Sequence, residues 1–245
     1  MTSTPATSAE FADLPPTLRA ERHGDVAVLT LSRPEKRNAL DDPTVAGIET
    51  FFSALPQDIR AVVLAGAGGH FSAGLDLAEL TERDVREGVA HSRFWQRAFE
   101  HIEFGRRRPP RRPAPRRPET SRGIFVGGGG SVRLPPLIGT ARMMDMMLTG
   151  RTLSAEEGQA IGLTHYLVDD GKGLDKGLAL AQRIATNTPF TNFAVTQLLP
   201  RIARGDPAAG FATEALAAAI AQSDEEAKAR LRAFLEKRGP KVSRS

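Results

Sequence analysis

His70-Phe71-Ser72-Ala73-Gly74-Leu75-Asp76-Leu77 is the stretch whose reading decides the fold of this chain. It follows a strand-like run, Arg60-Ala61-Val62-Val63-Leu64-Ala65, and a glycine-rich turn, Gly66-Ala67-Gly68-Gly69. Asp76-Leu77-Ala78-Glu79-Leu80 then predicts the start of a helix. Ser72, Ala73 and Gly74 carry almost no side chain, so the backbone there can approach a ligand closely. The first N–H groups of a helix have no intrahelical partner. Such groups can hold a developing negative charge, as an oxyanion hole does. Asp76 in the first turn would suit the helix dipole. On spacing alone, a plain strand–turn–helix junction is the favoured description.

The remainder of the chain sets the frame around that turn. At 245 residues, with 40% hydrophobic and 25% charged residues, the chain falls in the ordinary globular range and can bury a large core. It has no cysteine, which excludes disulfides and thiolate metal sites. The first twenty residues show no basic-then-apolar signal pattern, and no apolar run is long enough to span a membrane. Residues 1–16 are expected to form a flexible leader. The formal charge is +4, but Arg106, Arg107, Arg108, Arg111, Arg112, Arg116 and Arg117 lie within one short tract, and without them it would be −3. The basic balance belongs to that tract, which is weak ground for a nucleic-acid-binding protein.

Val26 to Leu31 predicts a strand rich in β-formers. Pro34 restricts Arg33 to extended geometry, so Arg33 to Leu40 is expected to be a polar loop. Lys36 and Arg37 in that loop could meet phosphates, although a solvated loop is the default. Pro43 to Leu55 predicts a helix from Val45, Ile48, Phe52 and Leu55, and Pro56 ends it. Val85 to Phe104 predicts a long helix with Val89, Phe94, Phe99 and Ile102 on its apolar side and Trp95 and Ala98 nearby. His91 and His101 lie on it, and the sequence places no orienting carboxylate beside either.

Arg106 to Pro118 breaks the pattern. Proline removes donors and the arginines repel one another, so an extended or disordered segment is expected. Gly127 to Gly130 is not followed by the Lys-Ser/Thr of a phosphate-binding loop. It more simply lets the backbone turn against a ligand or a strand. Leu134 to Gly139 predicts a turn, and Ala141 to Leu148 a methionine-rich helix. Ser154-Ala155-Glu156-Glu157 is a capping box opening a helix to Ile161. Leu163 to Val168 predicts a short strand. Leu174 to Ala185 predicts a helix with Leu178, Ala181 and Ile184 on one side. Phe190 to Ile202, Phe211 to Ile220 and a helix capped at Ser223 and running to Lys237 follow. In the last of these, Leu231, Phe234 and Leu235 are expected to be buried.

Four stretches together resemble the crotonase superfamily, the enoyl-CoA hydratase/isomerase family. They are Leu31-Ser32-Arg33-Pro34 with Arg37-Asn38-Ala39-Leu40, and His70 to Leu77. The others are Pro118-Glu119 with Gly123 and Gly129 to Leu134, and Leu148-Thr149-Gly150-Arg151 through Glu157-Gly158 to Ile161-Gly162-Leu163. The likeness spans about Asp25 to Arg238. It implies an α/β fold, a spiral of ββα turns with a helical C-terminal region. The expected division is a core over 17–188, interrupted by the arginine/proline tract at 105–117, and a trimerisation region over 189–245. It also implies a cytoplasmic enzyme of fatty acid metabolism acting on acyl-CoA or enoyl-CoA thioesters, a lyase or isomerase assembled as a homotrimer or hexamer. Coenzyme A is part of the substrate, and neither a further cofactor nor a metal is expected.

By the same resemblance, Arg37 and Ala39 contact the coenzyme A moiety, as does the backbone of Ser72, Ala73, Gly74, Leu75 and Asp76. The Leu75 N–H is one of two donors to the thioester oxygen, and Glu119 is the glutamate that moves the proton. Taken alone, Glu119 is an ordinary surface acid beside an arginine tract, and the motif after it shifts the reading toward the functional position. The departure from the family lies between the long helix and Pro118. Family members have a strand, a second glycine-rich turn and a helix with another glutamate there, and the turn gives the second donor. This chain has the tract over 105–117 instead, as if about thirty residues of a normal-sized domain were lost or translated out of frame. The resemblance therefore implies an impaired hydratase or isomerase. The alternatives are a non-catalytic CoA-binding or scaffold protein and, ranked last, a nucleic-acid-binding module built on the tract.

Overall fold

The computed structural model describes Phe11 and residues 14–76, 83–104 and 127–236. The arginine/proline tract, Glu119 and Leu77 lie outside them. The fold begins with two strands, β1 (Leu18–His23) and β2 (Val26–Leu31), joined through Gly24, which turns tightly at φ 66°. Helix α1 (Asp42–Ala54) follows, and then strand β3 (Ala61–Gly66). The sheet order is β1-β2-β3, with β1 antiparallel and β3 parallel to β2. This is one ββα turn whose helix carries the chain across to a parallel strand, as parallel pairing demands.

β2 is the buried centre. Val26, Ala27, Val28 and Leu29 are at most 1% exposed, so both faces of the strand are covered. A strand buried on both sides reads as a continuous apolar run, and Val26-Ala27-Val28-Leu29 is one. β1 was not expected from the sequence. Its inward residues are only Leu18 and Ala20, and charged Arg19, Glu21 and Arg22 mask the alternation. α1 packs through Val45, Ile48, Phe51 and Phe52. Phe11 stacks at 5.4 Å on Phe51 and joins this core.

Helix α2 (Val85–Phe104) has the expected limits but a rotated face. Trp95, Ala98 and His101 are buried, whereas Val89 and Ile102 are exposed. Trp95 and His91 both reach Asp42 on α1, and those polar contacts fix the rotation. The expectation that no carboxylate stands beside His91 is corrected by Asp42, 2.7 Å from His91 Nε2.

After Gly127 come the single turns α3 (Gly130–Arg133) and α4 (Pro135–Ile138), then α5 (Thr140–Thr149) and α6 (Ala155–Ala160). The expected turn over Leu134 to Gly139 is therefore helical, since Pro135 is tolerated at a first helical position. The Ser154/Glu157 capping box is present in both directions. The expected strand over Leu163 to Val168 is absent. Among the described residues no strand pairs with this segment, and a ladder needs a partner. In α7 (Gly173–Ala185), Ala181 and Ala185 are buried while Ile184 is exposed, so the apolar side is narrower than expected.

The chain divides into two compact units, Met1–Ala181 and Gln182–Ser245. The second is helical. Here α8 (Pro189–Phe193) passes through a π turn (Ala194–Leu198) into α9 (Leu199–Arg204). Pro200 explains the interruption, because it has no N–H and crowds the preceding turn, which widens. α10 (Pro207–Ser223) and α11 (Glu225–Leu235) follow. Asp224, rather than Ser223, caps α11 by accepting from Ala227 N–H at 2.9 Å. Leu231 and Leu235 are exposed, contrary to expectation.

Candidate active site

β2 and β3 run parallel, and the two stretches that carry the resemblance leave their C-terminal ends side by side. Ligands of open α/β sheets collect at such ends. Ala67 N–H donates to the Leu31 carbonyl at 2.8 Å, which carries the pairing one step past the strands. The chain after Leu31 makes a short 3₁₀ turn (Pro34–Lys36) and then two left-handed residues, Arg37 at φ 51° and Asn38 at φ 56°. Non-glycine residues rarely adopt this conformation, and asparagine tolerates it best.

Asn38 is 1% exposed and every polar group it has is used. Its N–H donates to the Arg33 carbonyl at 2.8 Å, and its Oδ1 accepts from Arg33 N–H at 2.9 Å. Its Nδ2 donates to the carbonyls of Ala67 at 2.8 Å and His70 at 2.7 Å. Its own carbonyl accepts from Ser72 Oγ at 2.8 Å. Gly66 closes the facing turn so tightly that a Cβ there would lie 2.4 Å from the Phe71 carbonyl oxygen.

Beyond these anchors the two loops pair as a short parallel ladder. Ala73 N–H donates to the Arg37 carbonyl at 2.8 Å, Leu40 N–H to Gly74 at 2.7 Å and Asp76 N–H to Leu40 at 2.8 Å. Leu40 bridges Leu75. Backbone groups alternate in direction along an extended chain, so the Leu75 N–H faces away from Leu40. Among the described residues it donates to nothing. Asp76 is therefore in extended backbone rather than in the first turn of a helix, and the rest of that expected helix lies outside the described residues.

Charge closes the ladder from below. Arg33 donates to Asp41 Oδ2 at 3.0 Å, to Asp76 Oδ2 at 2.8 Å and to the Ala39 carbonyl at 3.2 Å. Lys36 Nζ reaches the same Asp76 oxygen at 2.9 Å. Asp41 also caps α1 by accepting from Thr44 N–H at 2.8 Å. The Asp76 carboxylate is thus held inside the protein, where the sequence suggested a dipole role.

Of the expected site residues, the structure brings Arg37, Ala39, Ser72, Ala73, Gly74, Leu75 and Asp76 together on this ladder. Arg37, Ala73 and Gly74 are exposed, Ser72 and Leu75 half-buried, and Ala39 and Asp76 buried. Glu119 lies outside the described residues. The residues missed were Asn38, Arg33 and Asp41. A buried role for Asn38 could have been suspected from its place just before Ala39 in a turn-prone loop, because asparagine suits left-handed backbone.

Two further features carry none of the expected residues. Asp42 accepts from Trp95 Nε1 at 2.8 Å and lies 3.6 Å from Arg83. Burial pushes its carboxyl upward, but hydrogen bonds from His91 and Trp95 and the charges of His91 and Arg83 outweigh this and hold it below the ordinary value. A small cavity lies among Arg142, Asp145, Met146, Arg151, Leu153 and Glu157. Arg151 joins Asp145 at 3.5 Å and Glu157 at 2.9 Å there, which fixes the turn between α5 and α6. Among the described residues no cluster of three or more potential metal ligands exists, and no helix is long and apolar enough to cross a membrane.

Comparison with known proteins identifies the ladder's setting. The sequence profile of the enoyl-CoA hydratase/isomerase family matches residues 21–103 and 111–244, with its break at the start of the arginine/proline tract. A provisionally named enoyl-CoA hydratase of Thermus thermophilus is 32% identical over 89% of this chain and 97% of its own length. That match runs over 248 residues while taking up only 89% of a 245-residue chain, so part of the relative has no counterpart here. Enoyl-CoA hydratase EchA19 of Mycobacterium tuberculosis is 27% identical over 92% of this chain and 96% of its own. The crystal structure of a provisionally named enoyl-CoA hydratase from Rhodopseudomonas palustris superposes with a TM-score of 0.81 at 45% identity, covering 90% of this chain and 95% of that one. By profile, sequence and α/β architecture, this chain belongs to the enoyl-CoA hydratase/isomerase family, the crotonase superfamily.

Proposed function

We propose that this chain binds an acyl-CoA or enoyl-CoA thioester across the 37–40/72–76 ladder and turns it over poorly. The observation that carries the reading is the Leu75 N–H, turned away from Leu40, without an acceptor among the described residues and set between exposed Gly74 and the buried Asp76 anchor. Hydration of an enoyl thioester adds hydroxide at Cβ and a proton at Cα, and isomerisation moves a proton between carbons. Both pass through a species with negative charge on the thioester oxygen, which fixed N–H donors stabilise. Leu75 is one such donor. Glu119 is the proton carrier in this reading, a task that needs a carboxylate of tuned pKa within reach. Arg37 and the backbone of Ala39, Ser72, Ala73, Gly74 and Asp76 hold the coenzyme A portion, and no other cofactor takes part.

In this reading the second oxyanion donor is lost. The relative's unmatched portion supports a loss of chain within the match, and the profile leaves residues 104–110 unmatched, where this reading puts the lost segment. Losing one donor alone costs about a hundredfold to a thousandfold in rate. The same loss favours a second reading, a non-catalytic CoA-binding or scaffold protein. Residues 189–245 serve assembly as a homotrimer or hexamer in this account. Exposed Phe193, Phe211, Leu216, Leu231 and Leu235 support that role, because large apolar side chains gain by being covered. A cytoplasmic setting follows from the family reading.

Titration of the purified chain with coenzyme A tests the binding claim. Saturable binding that weakens in Ala73→Trp, where a large side chain would stand on the exposed ladder, supports it. No binding by the wild-type chain defeats both the enzyme and the scaffold readings.

A further inference from the structure

We infer that Asn38 is the positioning residue for the oxyanion donor, and that it sets the direction of the Leu75 N–H without touching substrate. The inference rests on the reading of Leu75 as donor and goes beyond it. Two loops from different strands must hold one amide in a fixed direction, and small misplacements of such a donor are costly. Arg33 and Lys36 tie them at Asp76, and Asn38 is the side chain that grips the glycine turn itself. Its Nδ2 grips the Ala67 and His70 carbonyls at the two ends of the glycine turn, at 2.8 and 2.7 Å. Its carbonyl holds Ser72 Oγ at 2.8 Å, and Ser72 Oγ in turn accepts from Gly74 N–H at 3.1 Å. Gly74 is the residue directly before the donor, and its carbonyl receives Leu40 N–H. Hydrogen bonds therefore run from the Asn38 backbone through Ser72 to the Gly74 N–H, one peptide before the one that carries the Leu75 N–H.

The residue type follows from the geometry. The site needs two N–H donors, one acceptor and a φ of 56° in a position 1% exposed. Asparagine supplies all three at least conformational cost. Aspartate has the same shape but no donor, so its oxygens would face the Ala67 and His70 carbonyls. Glycine accepts the backbone angle but leaves both carbonyls without their partner.

The test compares two probes. Coenzyme A alone reports the binding surface. Acetoacetyl-CoA enolises and places negative charge on oxygen, so its preference over coenzyme A, and its enolate absorbance, report the donor. Both affinities are measured for wild type, Asn38→Asp, Asn38→Gly and Ser72→Ala, with circular dichroism as the check on folding. The expected result is a fall of about tenfold in the acetoacetyl-CoA preference for both Asn38 variants, the scale of one well-placed hydrogen bond. Ser72→Ala, which removes the hydroxyl's bonds to the Asn38 carbonyl and from Gly74 N–H but leaves the Asn38 side chain in place, is expected to fall about threefold in the same direction. A variant that had merely loosened the fold would lose both affinities in parallel and overturn the inference. An unchanged preference overturns it as well. If the Asn38 variants do not fold, Ser72→Ala decides alone. If wild type itself shows no preference, the donor reading of Leu75 fails, and the inference falls with it.

Discussion

Leu40 N–H donates to the Gly74 carbonyl at 2.7 Å, and that bond turns the Leu75 N–H of the same peptide away from Leu40. The ladder uses the Gly74 carbonyl and the Asp76 N–H, and among the described residues it leaves the Leu75 N–H unused. Leu75→Pro removes that N–H without taking a bond from the ladder. The expected outcome is coenzyme A affinity within about threefold of wild type and loss of about tenfold or more in acetoacetyl-CoA preference. Titration calorimetry with the two ligands checks it. Equal losses for both would mean that the amide is structural.

Arg33 holds two carboxylates that are almost out of water, Asp41 with 9% and Asp76 with 6% of the side chain exposed. Removing the cation leaves Asp41 without its ion pair and Asp76 with that to Lys36. Arg33→Met is expected to destabilise the protein by about 3 kcal/mol, within the range for breaking a buried ionic group. Arg33→Lys is expected to fall between, because an ammonium cannot reach Asp41, Asp76 and the Ala39 carbonyl in one fork. Urea unfolding of the three proteins measures the order. Stability unchanged in Arg33→Met would show that the network contributes nothing.

Asp42 ties α1 to α2 through His91 and Trp95, and its carboxyl is held below its ordinary value. A group whose folded pKa is depressed stabilises the fold above its unfolded value, about 3.9, and loses that contribution as pH falls through the folded value. The stability advantage of wild type over Asp42→Asn is therefore expected to be present at about pH 5 and to shrink below about pH 4. Urea midpoints across this range provide the measurement. An advantage that grew on acidification would reverse the sign and contradict the assignment.

The sequence was most legible where one physical signal dominated. The apolar run Val26 to Leu31 gave β2 with its limits, and Ser154 with Glu157 gave the capping box of α6. It was least legible where pairing decides structure. β1 exists because β2 lies beside it, although Arg19, Glu21 and Arg22 hide its pattern. Leu163 to Val168 has the composition of a strand and no partner among the described residues. The ladder could be expected in outline, since its small residues pointed to a close backbone approach. Its supports could not. Nothing in one chain of letters says that Arg33 reaches Asp76, or that Asp42 waits opposite His91 across 49 positions.

The central claim is that the chain carries a recognisable but incomplete enoyl-CoA site, and its most direct test is hydration of crotonyl-CoA. The purified protein, with its sequence verified by mass, is mixed with crotonyl-CoA and the ultraviolet absorbance of the conjugated thioester is followed. Ordinary enzymes turn over at about 10 per second, and a missing oxyanion donor removes at least about a hundredfold. The account predicts turnover below about 0.1 per second in a chain that still binds coenzyme A. Turnover of about 10 per second or faster would contradict it, and would mean that a second donor is present in this chain.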